Sequence, residues 1–441
     1  MRVQLGSGFD AFMESLRQPP PVSIRYNPAK ITDFPGTPVP WCGTGRYLDH
    51  RPSFTLDPLF QAGAYYVQEA SSMMLDQAVR QTVGTETQIT ALDLCAAPGG
   101  KSTHLLSLLS PGSLLISNEA IRSRSHILTE NLEKWGYPNV IVTQNDPEAF
   151  GNLGEFFDLI LVDAPCSGEG LFRRDPEAAR EWSVRNVTIC AARQRRILED
   201  AWPALRPGGY LIYSTCTFNP TENQDNLRWL KDTSDCSFVQ IRLDPSWGVS
   251  EVLVETGGFG YQCLPHRVQG EGFFFAVVRK NGDSPRRTPR SKSRLQAPAA
   301  SDLQVAREWI NHPDDTRFFL HGSQLRTLPI GREADLEALL SRLHVVMAGT
   351  GVGEIKKNKI VPDYALALSI LRHRENVPGI PVDEAAALKY LRMEPLPDLG
   401  ASEGFHVLEY KGLGLGWVNV LPGRVNNLFP SNRRIRMTPI G

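Results

Sequence analysis

Two cysteines stand directly after predicted strands, where a parallel sheet gathers its functional groups. Cys166 lies in the segment DAPCSG (163–168), and Cys216 lies in STCT (214–217). Ligands of an open parallel sheet bind outside the carboxyl ends of its strands, whereas a structural cysteine normally lies within a strand. We therefore expect the two thiols to converge on one cleft, where a thiolate can act as a nucleophile.

A glycine-containing loop follows the first predicted strand of the same sheet. In DLCAAPGGKS (93–102), two adjacent glycines allow the backbone to approach a ligand closely, and the next helix presents free N–H groups. This arrangement is typical of a nucleotide-type binding loop. The residues expected to contact the ligand are Cys95, Ala96, Ala97, Pro98, Gly99, Gly100 and Lys101.

A phosphate-binding P-loop is the main competing interpretation of this segment. GGKST matches the end of the motif G-x-x-x-x-G-K-[ST], and Asp163 could imitate a magnesium-binding aspartate. However, the first glycine of the motif falls on Cys95, and Asp93 at the strand end would repel phosphates. The sequence therefore favours a cationic ligand without phosphate, such as S-adenosylmethionine (SAM), over the substrate of a P-loop NTPase.

Acidic residues end three successive predicted strands. Glu119 follows Asp93 by 26 residues (119 − 93), about where an acidic side chain accepts hydrogen bonds from both ribose hydroxyls of a nucleoside. Asp146 ends the third strand. We expect Glu119 to contact a ribose and Asp146 to contact the amino group of an adenine.

A parallel sheet is needed to position these residues, and the sequence predicts one. From about residue 89 to 280, short apolar β-branched runs alternate with longer amphipathic stretches, which is the pattern of βαβ units in an α/β domain. The predicted strands are 89–95, 113–119, 140–146, 157–164, 208–217 and 273–280.

Length and composition divide the chain into several units. Its 441 residues suggest about three domains of roughly 150 residues each. We predict an accessory domain at 1–85, the α/β domain at 86–282 and a further globular unit at 302–441. Between the last two, residues 283–301 combine proline, serine and arginine without apolar periodicity, which predicts a flexible basic linker.

Charge and cysteine content exclude several classes of protein. The formal net charge is -1, so contact with a polyanion must come from local patches. The seven cysteines contain no C-x-x-C pair, which fits neither a disulfide framework nor a zinc site, and no metal is expected. We find no secretory signal or membrane-spanning segment, so the expected location is the cytoplasm, away from membranes.

In their order along the chain, the motifs resemble those of the SAM-dependent RNA cytosine-5 methyltransferases. This resemblance rests on DLCAAPGGKS, Glu119, Asp146, DAPCSG and the TC of STCT, and it covers most of residues 20–280. It includes the segments SIRYNP (23–28), YYVQEASSM (65–73) and PHRVQGEGFFFAVVRK (265–280). The resemblance implies a Rossmann-like class I methyltransferase core with a small α+β N-terminal domain that contacts RNA.

The C-terminal segments are similar to one branch of that family. GEIKKNKIVPDYALAL (353–368) and KGLGLGWVNVLPGRVNNLFPSNRRIR (411–436) resemble the bacterial F-type enzymes that modify small-subunit ribosomal RNA. The similarity implies a C-terminal α+β extension with a PUA-like RNA-binding domain towards the end. It also implies RNA as partner, namely 16S ribosomal RNA or the small ribosomal subunit.

The resemblance further implies a role for each thiol. Cys216 attacks C6 of cytosine and Cys166 assists release, whereas in DNA cytosine-5 methyltransferases the cysteine of the PC motif attacks; spacing alone does not decide between them. We expect Asp163 to bind N3 and the exocyclic amine of the base, and Lys101 to stabilise negative charge at its carbonyl. Arg124 resembles a family position near the SAM ribose.

Aromatic and basic residues are candidates for RNA contact. A base that reacts must first be unstacked, and each bound phosphate needs a cation. The aromatic candidates are Tyr26, Tyr65, Tyr66, Phe172 and Trp182. The basic candidates are Arg173, Arg174, the linker residues Arg286, Arg287, Arg290, Lys292 and Arg294, and the cluster Arg433, Arg434 and Arg436.

Two other functions remain open at this point. The same chemistry could act on transfer RNA, since related enzymes differ chiefly in their appended domains. The fold could also serve a non-catalytic RNA-binding factor of ribosome assembly, although Cys166, Cys216, Asp163 and Lys101 are all present. One sequence gives neither the target nucleotide nor the oligomeric state.

Overall fold

The computed structural model describes residues 1–255, 257–288, 290, 295–356 and 359–437 and arranges them in four β-sheets with surrounding helices. None of its described helices has both the length and the apolar character needed to cross a bilayer. The N-terminal part forms a small antiparallel sheet in the order β2-β3-β1-β4. Its elements are α1 (Arg2–Leu5), α2 (Phe9–Ser15), β1 (Val22–Tyr26), β2 (Thr37–Val39), β3 (Cys42–Leu48), α3 (Pro58–Gln61), β4 (Tyr65–Val67) and α4 (Leu75–Arg80).

A large mixed sheet forms the centre of the molecule, with helices on both faces. Its strands are β5 (Thr90–Asp93), β6 (Leu114–Asn118), β7 (Val140–Thr143), β8 (Phe157–Asp163), β9 (Leu205–Thr215), β10 (Cys236–Val239), β11 (Ser250–Glu255), β12 (Gly258–Cys263) and β13 (Phe273–Lys280). The helices are α5 (Gly100–Leu108), α6 (Arg122–Trp135), α7 (Glu148–Gly151), α8 (Pro176–Glu181), α9 (Val184–Ala201) and α10 (Gln224–Thr233).

Five strands of this sheet are parallel, in the order β7-β6-β5-β8-β9, and β13 pairs antiparallel with β9. The chain leaves β5 in one direction to β6 and later returns to β8 on the other side. This reversal creates a crevice at the carboxyl ends of β5 and β8, where ligands of such sheets bind. The predicted α/β class and all six predicted strands are confirmed, although β10, β11 and β12 were not predicted.

The C-terminal region contains the two remaining sheets. The first has the order β14-β15-β17-β18 and the second has the order β19-β20-β21-β22. The first group of elements is α11 (Ala300–Glu308), β14 (Thr316–His321), β15 (Gln324–Pro329), α12 (Glu333–Leu340), β16 (Val345–Ala348), β17 (Thr350–Lys356), β18 (Lys359–Pro362) and α13 (Tyr364–Leu368). The second group is β19 (Gly379–Val382), α14 (Glu384–Leu391), β20 (Gly404–Tyr410), β21 (Leu413–Leu421) and β22 (Arg424–Asn427).

The C-terminal region is joined to the central sheet by an edge strand. β16 pairs antiparallel with β7, with Val345 opposite Thr143 and Ala348 opposite Ile141. Leu336 and Leu339 of α12 are buried in the same apolar cluster as the core strands. The central sheet therefore has ten strands, one of which comes from a segment that the sequence places in a separate unit.

The described part of the predicted linker forms ion pairs with both neighbouring units, with Asp335 on α12 and with Glu155 in the central unit. Arg286 lies 2.7 Å from Asp335, and Arg287 lies 2.9 Å from Glu155. The sequence predicted a flexible segment here. Its composition does not reveal that acidic residues elsewhere in the chain bind its arginines. Two of the predicted basic residues, Lys292 and Arg294, lie outside the described residues.

Arg25 on β1 fixes the N-terminal sheet to the central unit. Its guanidinium is fully buried, donates to Thr103 Oγ1 of α5 at 2.6 Å and lies 4.6 Å from the centre of the Trp135 ring. A buried cation is stable only where its donors are used. The small sheet therefore stands at a fixed distance from the carboxyl edge of the large one.

Arg332 joins the C-terminal region to the opposite edge of the central strands. Its Nη2 donates to the Gly112 carbonyl at 2.6 Å, and its Nη1 donates to Thr90 Oγ1 at 3.2 Å and to Asp335 at 3.1 Å. The side chain is only 9% exposed. Removal of the guanidinium would leave several buried acceptors without partners.

We expect Arg332→Met to lower the free energy of unfolding by about 2–4 kcal/mol, because it breaks a buried, charged hydrogen-bond network. Arg317→Met is the matched control, since that side chain is 48% exposed and should change stability by less than about 0.5 kcal/mol. Denaturant unfolding followed by circular dichroism measures both. Equal stability of the two variants would contradict this role for Arg332.

Candidate active site

A cavity of about 320 Å³ lies at the carboxyl ends of β5, β8 and β9. Its lining includes Gly100 and Lys101 at the start of α5 and Tyr66 of β4. Asp163 at the end of β8 and Cys216 after β9 also line it. The crevice at the strand ends therefore contains Lys101, Asp163 and Cys216, three of the residues predicted to take part in chemistry.

The structure brings the two predicted thiols together. Cys166 Sγ and Cys216 Sγ are 3.1 Å apart, because β8 and β9 are parallel neighbours with Asp163 opposite Ser214. The hydrogen bond with Cys216, and then burial, raise the pKa of Cys166. Cys166 is therefore held as a thiol that can donate its proton to Cys216.

Lys101 and Asp163 form a half-buried ion pair beside Cys216. Lys101 Nζ lies 2.8 Å from Asp163 Oδ2, and Ser214 Oγ donates to Asp163 Oδ1 at 2.8 Å. Burial lowers the pKa of Lys101, but the charge of Asp163 more than offsets it, so that the pKa stands above its usual value. The lysine remains a cation, and the aspartate is fixed in orientation.

Two buried glutamates tie the cysteine loops to each other. Glu222, which follows Cys216, accepts hydrogen bonds from the backbone N–H of Ser167 at 2.9 Å and from the Ser167 hydroxyl. Glu169, which follows Cys166, accepts from the Phe218 N–H at 3.0 Å. We call Glu169 and Glu222 the glutamate clasp.

A backbone hydrogen bond also joins the loop that follows Cys166 to the loop that contains Cys216. Gly170 N–H donates to the Cys216 carbonyl at 2.7 Å, and a Cβ at Gly170 would lie only 2.5 Å from that oxygen. The loops can approach this closely only with glycine here. Sequence reasoning missed the clasp, because the spacing of Glu169 and Glu222 does not show that each binds the other loop.

The loop after β5 has the shape expected of a ligand cradle. Gly99 has φ 113°, and a Cβ on Gly100 would meet the Tyr66 ring at 3.3 Å. Arg124 supports the loop, with Nη2 donating to the Ala97 carbonyl at 2.8 Å. The predicted loop residues Cys95, Ala96, Ala97, Pro98, Gly100 and Lys101 all line the cavity.

The predicted acids lie in distinct environments. Asp93 is fully buried and accepts from Ser102 Oγ at 2.7 Å, and burial raises its pKa to about 7. Glu119 is buried at the end of β6, where it accepts from the Ile121 N–H at 3.0 Å. Asp146 is 52% exposed and lies 3.3 Å from Arg196.

These acids are therefore not gathered in the cavity itself. Among the described residues that line it, Glu119, Arg124 and Asp146 do not occur. They stand at the next strand ends along the same edge, after β6 and β7. A ligand bound at both places would extend from the cavity along the sheet edge.

Two acids that line the cavity, Glu69 and Glu271, were not predicted. Glu271 is buried, and neither of its carboxyl oxygens has a hydrogen-bond partner among the described residues. Burial, and then the charge of Glu69, raise its pKa to about 7. Its position in GEGFFF carries no recognisable signal, because the segment reads as the start of a buried strand.

Several predicted RNA contacts are engaged in the protein itself. Tyr65 is buried and donates to Asp57 at 2.6 Å, and Arg173 donates to the Pro19 carbonyl at 2.8 Å. Arg433 binds Glu133 and lies 4.8 Å from the Tyr364 ring centre. These contacts hold Arg433 largely within the fold, whereas Arg434 and Arg436 are exposed, and phosphate binding by the three arginines stays a prediction.

A group of metal-ligating side chains lies away from the cavity. The ligand atoms of Cys42, Asp76 and His104 are within 4.8 Å of one another and are buried. Burial, and then the positive charge of Arg25, lower the pKa of His104 to about 4. Arg80 also binds Asp76 at 2.5 Å. The nearby cations oppose the addition of a metal ion.

Four family models match successive parts of the chain. Their descriptions are the N-terminal domain of 16S rRNA methyltransferase RsmF (1–70), 16S rRNA methyltransferase RsmB/F (81–279), the RsmF rRNA methyltransferase first C-terminal domain (304–370) and the methyltransferase RsmF PUA domain (378–435). The last two matches correspond to the two C-terminal sheets.

Similar proteins span nearly the full chain. The chain is 32% identical to ribosomal RNA small subunit methyltransferase F of Shewanella loihica, over 96% of this chain and 90% of that protein. It is 30% identical to the protein of the same name from Enterobacter sp., over 96% and 91%. A solved methyltransferase homologue from Pyrococcus horikoshii is 29% identical with a TM-score of 0.53, over 62% of this chain and 91% of that chain.

The solved homologue shares the Rossmann-like methyltransferase core, and the full-length relatives share the appended domains on both sides. The chain therefore belongs to the ribosomal RNA small subunit methyltransferase F family.

Proposed function

We propose that the protein forms 5-methylcytosine in 16S ribosomal RNA, with SAM as methyl donor and a transient bond between Cys216 and C6 of the base. The proposal rests on Cys216, which lines the cavity together with Lys101 and Asp163 and whose Sγ lies 3.1 Å from that of Cys166 behind it. The substrate follows from membership of the family and from the C-terminal PUA domain.

The residues at the sheet edge fit SAM. A phosphate-free, cationic ligand suits an edge that carries Glu119 and Asp146, and Gly100 leaves the cradle open where a Cβ would meet Tyr66. Glu119 would hold the ribose, Asp146 the adenine amino group, and the loop 95–101 the methionine end, with Arg124 bracing the loop. SAM supplies an electrophilic methyl group on a sulfonium.

Cys216 supplies the nucleophile that the base needs. C5 of cytosine is a poor nucleophile in an aromatic ring, and addition of the Cys216 thiolate to C6 converts it into an enamine carbon. C5 can then accept the methyl group. Loss of the C5 proton to a base and departure of the Cys216 sulfur restore the aromatic ring.

Asp163 and Lys101 would stabilise the negative charge that forms on the cytosine ring when the thiolate adds to C6. Addition at C6 places negative charge on the ring, and it requires a proton or hydrogen bond at N3. Asp163, held by Lys101 at 2.8 Å and by Ser214, would accept a hydrogen bond from the exocyclic amine and, in its protonated form, donate its proton to N3. Lys101 would stabilise charge at the carbonyl of the base.

Cys166 is suited to the last step. Its raised pKa keeps it protonated beside Cys216. A thiol proton 3.1 Å away can be given to the departing sulfur of Cys216, which would prevent its return to C6. The order of the two roles, attack by Cys216 and release by Cys166, follows the family resemblance.

The glutamate clasp would keep the distance between the sulfur atoms of Cys166 and Cys216 constant during turnover. Each glutamate is buried and accepts hydrogen bonds from the opposite loop. A carboxylate that accepts several donors holds them more strongly than a neutral group.

The expected place of action is the cytoplasm, where small subunits assemble.

Cys216→Ala should abolish methyl transfer, because no other group would activate C5. Nucleoside mass spectrometry of 16S and transfer RNA incubated with enzyme and SAM measures 5-methylcytosine in each. Cys190→Ala, which changes a half-buried cysteine on α9, should retain full activity. Turnover by Cys216→Ala would contradict the mechanism, and methylation of transfer RNA alone would contradict the substrate.

Cys166→Ala should instead accumulate a covalent complex with RNA, because the attack remains possible while release is impaired. The complex should appear as a slowly migrating band on denaturing gels, with and without reducing agent. Wild type and Cys190→Ala should show no such band. Normal turnover without a band would remove Cys166 from the release step.

Glu222→Gln should lower kcat at least about tenfold, since an amide offers one acceptor where the carboxylate holds three donors: Ser167 N–H, Ser167 hydroxyl and Gln194 Nε2. The KM for RNA should change little. Glu177→Gln, at an acid that is 65% exposed, is the control. Slower diamide-induced disulfide formation between Cys166 and Cys216 would identify a positioning effect, and wild-type kcat would contradict it.

A further inference from the structure

A second cavity, of about 200 Å³, lies where three parts of the molecule meet. Lys30 comes from the N-terminal unit, Ser369 and Arg372 follow α13, and Gly414 belongs to β21 of the last sheet. The volume is enough for several water molecules, each of which occupies about 30 Å³. Its described lining residues are separate from those of the catalytic cavity.

Positive charge dominates this cavity. Lys30, Arg372 and Arg374 line it, and no acidic residue occurs among its described lining residues. Glu409 lies outside the lining and binds Arg372 alone. Lys30 and Arg374 therefore have no counter-charge among the lining residues, and an anion in the cavity would balance them.

The individual side chains show the same imbalance. Arg372 is only 3% exposed, and its Nη1 has no hydrogen-bond partner in the described part of the chain. Arg374 also lines the cavity and is exposed. A buried guanidinium nitrogen without an acceptor is rare in native proteins.

Burial and neighbouring positive charges disfavour the charged form of Lys30. Its Nζ donates to the carbonyls of Ala62 at 2.7 Å and Lys134 at 2.6 Å, and one N–H remains. Burial, and then the charges of Arg372 and Arg374, lower its pKa to about 7. A bound anion would reverse this effect and accept the remaining N–H.

We propose that this cavity binds a phosphate group through Lys30, Arg372 and Arg374. A phosphate carries enough charge to neutralise the uncompensated cations, and its oxygens can accept hydrogen bonds from all three side chains. The group belongs either to the backbone of the bound RNA or to inorganic phosphate. The proposal goes beyond the methyl-transfer function, since it needs neither the cysteines nor the cofactor edge.

Arg374→Gln in the full-length protein tests the site, because the side chain is exposed and its loss should leave the fold intact. Calorimetric titration with inorganic phosphate, in a potassium chloride background of constant ionic strength, should show binding to the wild type. The variant should bind about tenfold more weakly. Arg317→Gln, a matched change at a 48% exposed arginine, should bind as the wild type does.

A second arm distinguishes the two sources of phosphate. The affinity for a 16S RNA fragment is measured as a function of salt concentration for the same three proteins. If the RNA backbone enters the cavity, the slope of log K against log salt should fall by about one in Arg374→Gln, and inorganic phosphate should compete with RNA. An unchanged slope with weakened phosphate binding would assign the site to inorganic phosphate.

Two results would overturn the proposal. One is the absence of phosphate binding to the wild type together with an unchanged RNA salt slope in Arg374→Gln. The other is equal weakening by Arg374→Gln and Arg317→Gln, which would show only a general loss of charge. Thermal unfolding of each variant verifies that the fold is retained.

Discussion

The close approach of two loops, which sets Cys166 Sγ 3.1 Å from Cys216 Sγ, is the constraint on which the rest of the structure depends. Parallel pairing of β8 with β9 brings the loops to the same edge. The glutamate clasp and the close fit at Gly170 then hold them there. A thiol and a thiolate at this distance can share one proton, and this is the property that two-cysteine chemistry needs.

The surrounding units are fixed to the central sheet at both ends of its strands. The N-terminal sheet contributes Tyr66 to the cavity lining, and Arg25 ties this sheet to α5 and Trp135. The C-terminal region adds β16 to the central sheet and is anchored by Arg332. The appended domains are thus packed parts of the catalytic body, and RNA bound to them would be held at a defined distance from the thiols.

The sequence predicted what depends on local pattern and strand ends. Apolar runs predict the six main strands. Because glycines or cysteines follow several of these runs, the sequence also predicts the loop before α5 and the proximity of Cys166 and Cys216. It could not predict contacts between distant segments, such as the clasp of Glu169 and Glu222, the edge strand β16 or the burial of Arg433 against Glu133. Those depend on which loop or helix faces which, and local spacing carries no record of it.

The central claim is that Cys216, with Cys166 as its neighbour, forms the bond to the base. RNA that contains 5-fluorocytosine tests it directly, because the fluorine at C5 cannot leave as a proton does and the covalent complex is trapped. Mass spectrometry of peptides from the trapped complex then identifies the attached residue. We expect RNA on the peptide that contains Cys216. Attachment at Cys166, or no covalent complex with an active enzyme and SAM, would contradict it.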